Sequence, residues 1–462
     1  MKTQVMTVLS DLSATKSRNE KAKILKAVVS DLLLTDVMHR VVRYAYDAEY
    51  DYGIKKFKKS ADHLQVAEFS EVFDLLDKLR ERQLSGNAAK SAVEDLYHRL
   101  DSHGAEIFVR MLSHDLKCGV GPETFNKNLG ECVYVHPYRK CSGFSKANLK
   151  KINLPAISQV KMDGAYNDVY VYPDKIQIIS RNGLKVKYKL QPHLMAAIAK
   201  EAEGYVLAGE ALVWSEDRTR LLPRDEGNGY LSSDDIDLSR ICLVLWDAIP
   251  IEEHRWDTVS TEIDIDRFNR LVGIVNNINH VSNDQIRVVE TRIVNSVDDI
   301  INHFRESIER GEEGTVVKNF AGKWEHGESA DCVKIKIVFD CDLEIVDVVE
   351  GTGKNQGRMG ALILRTVDNK LMVNVGIGFS DKQRDDFYQN KENLPGCIVT
   401  VKANEITSKA NSDVSSLFLP RFGSGNTLTF VEIRKDKRVA DTLQQVIDQR
   451  NAVYDIIKSM TD

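Results

Sequence analysis

A series of short motifs constrains this chain more than any other feature of its sequence. The series opens with Lys161-Met162-Asp163-Gly164 and continues in a fixed order with Ser180-Arg181-Asn182-Gly183, Gly209-Glu210, Trp246-Asp247, Glu313-Gly314-Thr315-Val316-Val317-Lys318, Lys334-Ile335-Lys336 and Arg434-Lys435-Asp436-Lys437. The first tetrapeptide alone is weak evidence, since it more often marks a turn after a strand. The ordered set is much harder to obtain by chance, and it describes a lysine nucleophile inside a cationic, metal-assisted nucleotide pocket.

Length and periodicity divide the chain into domains. A chain of 462 residues is expected to hold about three domains of ordinary size. From residue 1 to about 130, apolar residues such as Phe69, Phe73 and Leu76 recur every three or four positions, which predicts a helical N-terminal domain. From 131 to 339, short β-branched runs separated by turns predict a mixed α/β domain with antiparallel sheets.

The C-terminal part again has the pattern of short strands. Residues 340–440 contain such strands at a spacing that suits a small β-barrel, and 441–462 have the periodicity of an amphipathic helix. Packing against the barrel is the favoured role for this helix, with docking of a partner as the alternative. The predicted fold class is therefore multidomain α+β.

Several motif residues are expected at the ends of strands. The run 156–160 leads directly into Lys161, and Pro173-Asp174 separates two strands of a predicted hairpin. Glu210 and Trp246 are also expected where strands end. Helices are predicted over about 262–279 and about 297–310, the second with Ser296 as its N-cap. Functional groups at strand ends would converge on one cleft.

The sequence shows neither a membrane segment nor a cysteine framework. No apolar run reaches the roughly 20 residues that cross a bilayer, and the N-terminus lacks the apolar core of a signal peptide, so a cytoplasmic location is expected. The seven cysteines are scattered without a Cys-x-x-Cys pair. Buried free thiols are therefore a better expectation than a zinc site or disulfides.

Local basic clusters are compatible with a polyanionic partner. The net charge is -6, but affinity for phosphates depends on clusters that can coexist with acidic surfaces. The densest cluster comprises Lys55, Lys56, Lys58 and Lys59, although a solvated loop explains it equally well. Lys117 lies in the segment 115–122, where two glycines would allow close approach of the backbone; a helix C-cap and a turn is the alternative.

The lysines of the later motifs are suited to phosphoryl chemistry. A lysine amine has an unperturbed pKa of about 10.4, so a nucleophilic Lys161 needs neighbouring cations or desolvation that lower this pKa. Lys318, Lys334 and Lys336 can supply those charges and can neutralise an α-phosphate in the transition state. Lys334 and Lys336 alternate with apolar residues and so share one face of a strand, for which a solvated edge strand is the alternative.

The remaining motif residues are suited to a metal and a nucleotide. Glu210 and Glu313 can hold Mg²⁺ and ribose hydroxyls, since magnesium needs few carboxylates besides water. Trp246 offers a flat face for adenine, and a core tryptophan is the alternative. Arg181 can bind a phosphate or ribose, and an exposed turn residue is the alternative.

The ordered motifs resemble those of the covalent nucleotidyltransferases and, within them, the ATP-dependent DNA ligases of tailed bacteriophages. The resemblance covers the catalytic core, the barrel and, more loosely, the helical domain. It implies an OB-fold for the barrel, a DNA-binding role for the helical domain, ATP and Mg²⁺ as cofactors, nicked duplex DNA as partner and a monomeric enzyme. It also implies sealing of 5′-phosphate/3′-hydroxyl nicks in replication, repair and recombination.

The resemblance carries over residue by residue. Lys161 would carry AMP, with Asp163 and Gly164 shaping its loop. The other implied roles are ribose contact by Glu210, adenine stacking by Trp246, metal binding by Glu313, α-phosphate binding by Lys334 and Lys336, and orientation of pyrophosphate by Arg434 and Lys437. The barrel would swing between closing over ATP and clamping DNA.

Two positions depart from the family pattern. Tyr166 stands where the family usually has arginine, and Val333 stands where an aromatic residue often precedes the first lysine of its motif. Tyrosine cannot form the charged bidentate hydrogen bonds of an arginine, so Asn167 or a nearby arginine would have to replace that contact.

Two other functions are compatible with parts of the pattern. An RNA ligase or a capping-type guanylyltransferase shares most core motifs, but the helical domain and the motif from Arg434 to Lys437 disfavour it. A non-catalytic protein that binds nicks or DNA ends is suggested only by Tyr166. An NAD-dependent ligase is disfavoured because its cysteine-rich module is absent from the sequence.

Overall fold

The computed structural model describes residues 1–54, 56–59, 62–352, 355–403, 406–408, 420–422 and 428–458. It contains two compact units. The first comprises Met1–Val135, Val349–Gly360 and Asp381–Gln389, and the second comprises the remainder of the chain. In the described ranges no helix is long and apolar enough to cross a membrane.

The first unit is built mainly from helices, as the periodicity of residues 1–130 predicts. Its helices are α1 (Lys2–Ala14), α2 (Arg18–Val28), α3 (Leu32–Tyr46), α4 (Ser70–Arg80), α5 (Gly86–Arg99), α6 (Ser102–Leu112) and α7 (Pro122–Leu129). Asp31 and Asp101 cap α3 and α6 by accepting bonds from backbone N–H groups of the first turn. Phe73, Leu76 and Phe108 lie in the shared apolar core.

The second unit begins with two sheets, as short strands separated by turns predict. Its first elements are β1 (Arg139–Gly143), α8 (Lys146–Leu149), β2 (Ala156–Val160), β3 (Ala165–Val171), β4 (Ile176–Ser180), α9 (Pro192–Glu201), β5 (Tyr205–Val213), α10 (Arg224–Leu231), β6 (Ile241–Pro250), β7 (Val259–Ile263), α11 (Asp264–Ser282), β8 (Ile286–Val288), β9 (Thr291–Val294), α12 (Val297–Glu309), β10 (Gly314–Asn319), β11 (Lys323–Glu325) and β12 (Gly327–Lys336).

Strand pairing places the motifs in two five-stranded sheets. The first has the order β1-β12-β10-β2-β9, and the second has the order β4-β3-β5-β6-β8. Pairing is antiparallel except between β1 and β12 and between β6 and β8. Helix α12 packs against the first sheet, while α9 and α11 cover one face of the second. The lysine motifs therefore belong to one sheet, and Glu210 and Trp246 belong to the other.

A buried ion network connects β1, β6 and α11. Arg267 is fully buried and pairs with Asp247 at 2.9 Å, while Arg139 pairs with Asp264 at 2.7 Å. Arg267 also pairs with Asp264. Loss of one partner would leave a buried charge without compensation, which typically costs about 3 to 5 kcal/mol.

The C-terminal strands form a mainly antiparallel sheet, consistent with the predicted OB-fold. The elements are β13 (Phe339–Glu350), β14 (Met359–Arg365), β15 (Met372–Val375), α13 (Asp381–Gln389), β16 (Ile398–Ala403), β17 (Ile406–Ser408), β18 (Pro420–Phe422), β19 (Thr429–Ile433) and α14 (Leu443–Lys458). Their five-stranded sheet has the order β15-β14-β13-β16-β19.

The C-terminal helix is predicted to pack on the barrel, but in the structure it also contacts helix α12. The Leu443 N–H at its start donates to Asp368 of the barrel at 3.3 Å, but farther along the Tyr454 ring lies 6.5 Å from Phe304 of α12. Helix α14 therefore contacts the barrel at its first residue and helix α12 farther along, at Tyr454.

The structure confirms most of the predicted elements and corrects two positions. Strand β2 ends immediately before Lys161, and Ser296 caps α12 with a capping box. Glu210 and Trp246, however, lie inside β5 and β6 and not at strand ends. The strands continue because apolar residues follow both positions, as in Ala211-Leu212-Val213. The domain limits at 130, 339 and 440 stay predictions.

Candidate active site

Lys161 is positioned by the first sheet. Its backbone N–H donates to the carbonyl of Gly314 at 2.8 Å, so the chain still follows β10 where β2 ends. This register brings the Lys161 ammonium into an ion pair with Glu313, the residue before β10. Gly314 has φ +141°, and a Cβ there would lie 2.1 Å from the carbonyl oxygen of Ile335. Glycine is therefore required for the close approach of β10 to β12.

The same approach brings a second lysine to Glu313. The Lys336 ammonium lies 3.6 Å from the other carboxylate oxygen of Glu313. Lys334 lies two residues earlier on the same face of β12, and Lys318 is buried on β10. Burial, with the positive charges of Lys161 and Lys334, lowers the pKa of Lys336, although Glu313 acts in the opposite direction.

The pKa of Lys161 is raised, whereas the sequence motifs predict that it is lowered. Burial acts to lower the pKa of Lys161, but the negative charges of Glu313 and Glu210 outweigh this effect and raise it. The lowering effect expected of Lys318, Lys334 and Lys336 is therefore outweighed by the carboxylates, and the roles of these lysines in the reaction stay predictions. The sequence could not show that Glu313 pairs directly with the nucleophile.

Glu210 joins the site from the second sheet. Its carboxylate accepts a hydrogen bond at 2.6 Å from the backbone N–H of Gly164, three residues after Lys161. Burial raises the pKa of Glu210 to about 7; Lys161 and the Gly164 N–H oppose this, while the Glu313 carboxylate adds to it. The preceding Gly209 lies at a bulge, where a Cβ would be 2.4 Å from the Val244 carbonyl oxygen. Glycine is therefore required where β5 closely approaches β6.

An aromatic group lies on the same side of the second sheet. The rings of Trp246 and Tyr166 are 5.9 Å apart, and Tyr166 meets Tyr138 edge to face at 4.9 Å. The Arg181 guanidinium lies 4.3 Å from the Tyr138 ring centre. The Tyr166 hydroxyl donates to buried Asp168 at 2.8 Å. Trp246 is only partly buried, so these planar groups can provide a nucleobase surface.

Sequence reasoning missed Tyr138 and Arg224. Tyr138 precedes the motif series, and no spacing in the sequence connects it with Arg181. Arg224, at the start of α10, pairs with Asp163 at 3.0 Å, and both side chains are slightly less than half exposed. This arginine is a charged neighbour of the Lys161 loop, and its replacement of the missing family contact stays a prediction. Asn167 instead donates its side-chain amide to Ala165 of its own strand at 2.7 Å.

The carboxylates fit a magnesium ion by their chemistry. Glu210 and Glu313 act on one another and on Lys161; burial raises the pKa of Glu210, the Glu313 charge adds to this effect, and a bound cation would oppose it. Within the described ranges no group of three or more His, Cys, Asp or Glu forms a closed metal site. Two carboxylates with water and substrate phosphates are the usual ligands of Mg²⁺.

The basic motif of the barrel is paired within the barrel. Arg434 and Lys437 each lie 2.9 Å from the same oxygen of Asp342, and Lys437 also pairs with Asp441 at 2.7 Å. Arg434 additionally pairs with Asp436 at 2.7 Å. The structure thus pairs Arg434 and Lys437 with carboxylates of the C-terminal part of the chain. Around Lys161 it brings together Glu313, Lys336 and Glu210, and around the aromatic group Trp246 and Arg181.

The predicted DNA contacts lie on exposed parts of the first unit. Lys56, Lys58 and Lys59 are exposed, whereas Lys55 lies outside the described residues. The Lys56 ammonium is 3.8 Å from Glu350. Lys117 has φ +50° in a loop whose Gly119 carbonyl accepts a bond from buried Lys21 at 2.8 Å. Lys117 is exposed on this loop.

Fold and site together define a lysine-based nucleotidyltransferase. Residues 139–336 match the ATP dependent DNA ligase domain, and residues 350–426 match the DNA ligase OB-like domain. The chain is 25% identical to the DNA ligases of Enterobacteria phages T6 and T4, over 96% of this chain and 98% of each relative. A solved structure titled Pmar-Lig_Pre. has a TM-score of 0.73 at 24% identity and covers 93% of this chain and 99% of that one. The chain belongs to the ATP-dependent DNA ligases.

Proposed function

We propose that this chain seals nicks in duplex DNA through a lysyl-AMP on Lys161 and a DNA-adenylate. The observation that carries the proposal is the position of the Lys161 amine between Glu313, Lys336 and the loop bound by Glu210. ATP is the nucleotide that the family uses. A position at the end of a strand fixes the amine, which favours in-line attack on the α-phosphorus.

Glu313 is placed to accept the proton of the nucleophile. The amine of Lys161 must lose a proton before it attacks, and the carboxylate of Glu313 is in direct contact with that ammonium. Transfer of the proton to Glu313 would leave a neutral amine beside the positive charges of Lys334 and Lys336. These charges then stabilise the negative charge that builds on the α-phosphate.

The remaining residues would bind and orient the substrates. Trp246, Tyr166 and Tyr138 would contact adenine, Glu210 the ribose, and Arg181 a ribose or phosphate group, with Lys318 adding positive charge. Arg434 and Lys437 would orient pyrophosphate in the first step. When bound by Glu210 and Glu313, Mg²⁺ would neutralise phosphate charge and polarise the reacting phosphorus. After AMP reaches the 5′-phosphate, attack by the 3′-hydroxyl would release it.

DNA would be held through phosphates and without sequence readout. Lys55, Lys56, Lys58, Lys59 and Lys117 are the proposed contacts, and the exposure of those that the structure describes permits them to reach a duplex. The domains are proposed as 1–130 for DNA, 131–339 for adenylylation and 340–440 for the OB-fold, followed by the C-terminal helix. A monomer in the host cytoplasm is the simplest state for this role.

The experiment compares substrates for discharge of the protein-bound nucleotide. The chain is incubated with Mg²⁺ and either ATP or GTP labelled at the α-phosphate, and the labelled protein is chased with nicked DNA or with RNA ends. The proposal predicts labelling by ATP and loss of the label with nicked DNA, together with sealed product. Discharge by RNA ends alone would indicate an RNA ligase, labelling by GTP a capping-type enzyme, and absence of any label a binding protein.

A further inference from the structure

Two cysteines lie side by side in the first sheet without a role in the proposed reaction. Cys141 is half-buried on β1, and Cys332 is buried on β12. The two strands pair in parallel, with a register shift directly after Cys141. The Cys332 thiol donates to the backbone carbonyl of Lys140, the residue before Cys141, at 3.9 Å, and it acts directly on the Cys141 thiol. Both are free cysteines, so this pair is in the dithiol state.

The pair lies among the cations of the phosphate site. Lys318 on β10 is the direct cross-strand partner of Cys332, and Lys334 follows Cys332 on the same face of β12. Arg139 lies two residues before Cys141 on β1. A thiolate is the reactive form of cysteine, and positive charges nearby stabilise it.

The surroundings give the Cys141 thiol a lower pKa than that of other buried thiols. The hydrogen bond with Cys332 lowers the pKa of Cys141 to about 7 against the effect of burial, and Lys318, Arg139 and Lys334 contribute to the lowering. Burial raises the pKa of Cys132 to about 11 and that of Cys242 to about 12. Cys141 therefore combines partial exposure, a neighbouring thiol and a cationic environment.

We propose that Cys141 and Cys332 are a thiol modification site, at which a low-molecular-weight disulfide converts the pair to an intramolecular disulfide and stops the formation of lysyl-AMP. The recognised chemistry is an uncharged or anionic small disulfide, since the site is cationic. Cys141 reacts first because it is the less buried member of the pair. Cys332 then resolves the adduct because it lies within reach of the same sulfur.

The exchange is balanced in two steps. The Cys141 thiolate attacks one sulfur of the small disulfide, forms a mixed disulfide and expels a small thiolate. Cys332 loses its proton to the expelled thiolate and attacks the Cys141 sulfur, which expels the second small thiolate. The two protein thiols are oxidised, one S–S bond of the reagent is reduced, and two small thiols leave.

The effect on the rate of lysyl-AMP formation follows from the position of the Cys141–Cys332 disulfide. A disulfide would tie β1 to β12 two residues before Lys334 and directly beside Lys318, and it would replace a hydrogen-bonded contact by a covalent one. A shift of about 1 Å in groups that orient a reacting phosphate can cost about 10²-fold in rate. This last step rests on the proposed function, whereas formation of the disulfide does not.

The test uses the full chain and 2-hydroxyethyl disulfide. After treatment, peptide mapping identifies the linked cysteines, and labelled ATP measures the rate of lysyl-AMP formation. The proposal predicts a Cys141–Cys332 linkage, a fall in that rate of at least about tenfold, and recovery on addition of a reducing thiol. A linkage that leaves the rate unchanged, or the absence of this linkage, would overturn the proposal.

Three variants define the order of events. Cys141→Ser should neither take up the reagent at this site nor lose rate, whereas Cys332→Ser should stop at a mixed disulfide on Cys141. Cys397→Ser, which removes a half-buried thiol of the barrel, should respond as the parent chain does. A mixed disulfide on Cys332 in Cys141→Ser would contradict the proposed order. If untreated protein forms no lysyl-AMP, the proposed function fails, and the peptide map still tests the thiol pair.

Discussion

The two basic centres of this molecule, around Lys161 and around Arg434, are both balanced by carboxylates, but in different ways. In the first, Lys161 and Lys336 share Glu313, and the three side chains come from separate segments of the nucleotide domain. In the second, Arg434 and Lys437 share Asp342, and Arg434 also pairs with Asp436 of its own segment.

The difference indicates distinct tasks for the two centres. A charge cluster assembled from several strands is held in one geometry, as chemistry on a reacting phosphorus requires. A cluster contained within one small domain can move with that domain and keep its charges paired meanwhile. We therefore expect the first centre to be needed in every step and the second only where the barrel closes on ATP.

Removal of the nucleophile should have the largest effect. Lys161→Ala should reduce lysyl-AMP formation by at least about 10⁴-fold, because Lys161 is in direct contact with Glu313, whereas the Lys336 ammonium lies 3.6 Å from this carboxylate. The measurement is transfer of label from ATP to protein under denaturing conditions. Lys323→Ala removes an exposed lysine of the same domain and serves as the control, which should stay fully active. Comparable labelling of both variants would contradict the prediction.

Loss of the barrel cations should affect one step alone. Arg434→Ala with Lys437→Ala should slow lysyl-AMP formation by about 10² to 10³-fold, the usual effect of losing charged groups that stabilise a transition state. Sealing of a nick that already carries AMP should proceed at nearly the parent rate, because pyrophosphate takes no part in it. The matched control is Lys435→Ala, an exposed lysine between the two. Equal losses in both assays would remove the proposed distinction between the centres.

The carboxylate that holds both barrel cations provides a finer test. Asp342→Asn keeps the size of the side chain but removes the charge that contacts Arg434 and Lys437 at 2.9 Å. We expect about tenfold slower lysyl-AMP formation from loss of their orientation, again with sealing of adenylylated nicks retained. Faster lysyl-AMP formation would show instead that Asp342 competes with pyrophosphate for these cations.

Glu210 predicts a pH dependence of folding stability. Its pKa of about 7 in the folded chain lies above the unfolded value of about 4.3, so the folded state binds the extra proton. This group therefore contributes stability below about pH 4.3 that is lost as the pH rises through 7. Glu210→Gln should remove that loss; the part between about pH 5 and about pH 8 is of the order of 2 to 3 kcal/mol, and denaturant unfolding at these two pH values measures it. An unchanged pH dependence would show that Glu210 ionises normally.

The basic cluster of the helical domain should have the smallest effect on sealing. Replacement of Lys55, Lys56, Lys58 and Lys59 by alanine should weaken nick binding and reduce the salt slope by about 0.9 for each DNA phosphate that the variant leaves unneutralised. Binding to a nicked duplex is measured over a range of salt concentrations. A control with alanine at Lys16, Lys23, Lys26 and Lys90 removes the same charge from exposed positions elsewhere in this unit. Identical slopes in both variants would exclude the cluster as a DNA-binding surface.

The strand positions of the site lysines could be predicted from the sequence, because strand alternation and motif order are local properties. The position of Lys161 after β2 and the shared face of Lys334 and Lys336 follow from the period of two residues in a strand. The pKa of Lys161 could not be predicted in this way, because it depends on how closely Glu313 approaches. Tyr138 was missed for a related reason, since its meeting with Tyr166 depends on how remote segments pack.

Identification of the adenylylated residue tests the central claim most directly. The chain is incubated with ATP and Mg²⁺, digested under conditions that preserve a phosphoramidate, and mapped by mass spectrometry, while a parallel sample is chased with nicked DNA. We predict AMP on Lys161 alone and its disappearance within one turnover of nick sealing. AMP on another lysine, such as Lys334 or Lys336, or AMP on Lys161 that nicked DNA does not discharge, would contradict the proposed mechanism.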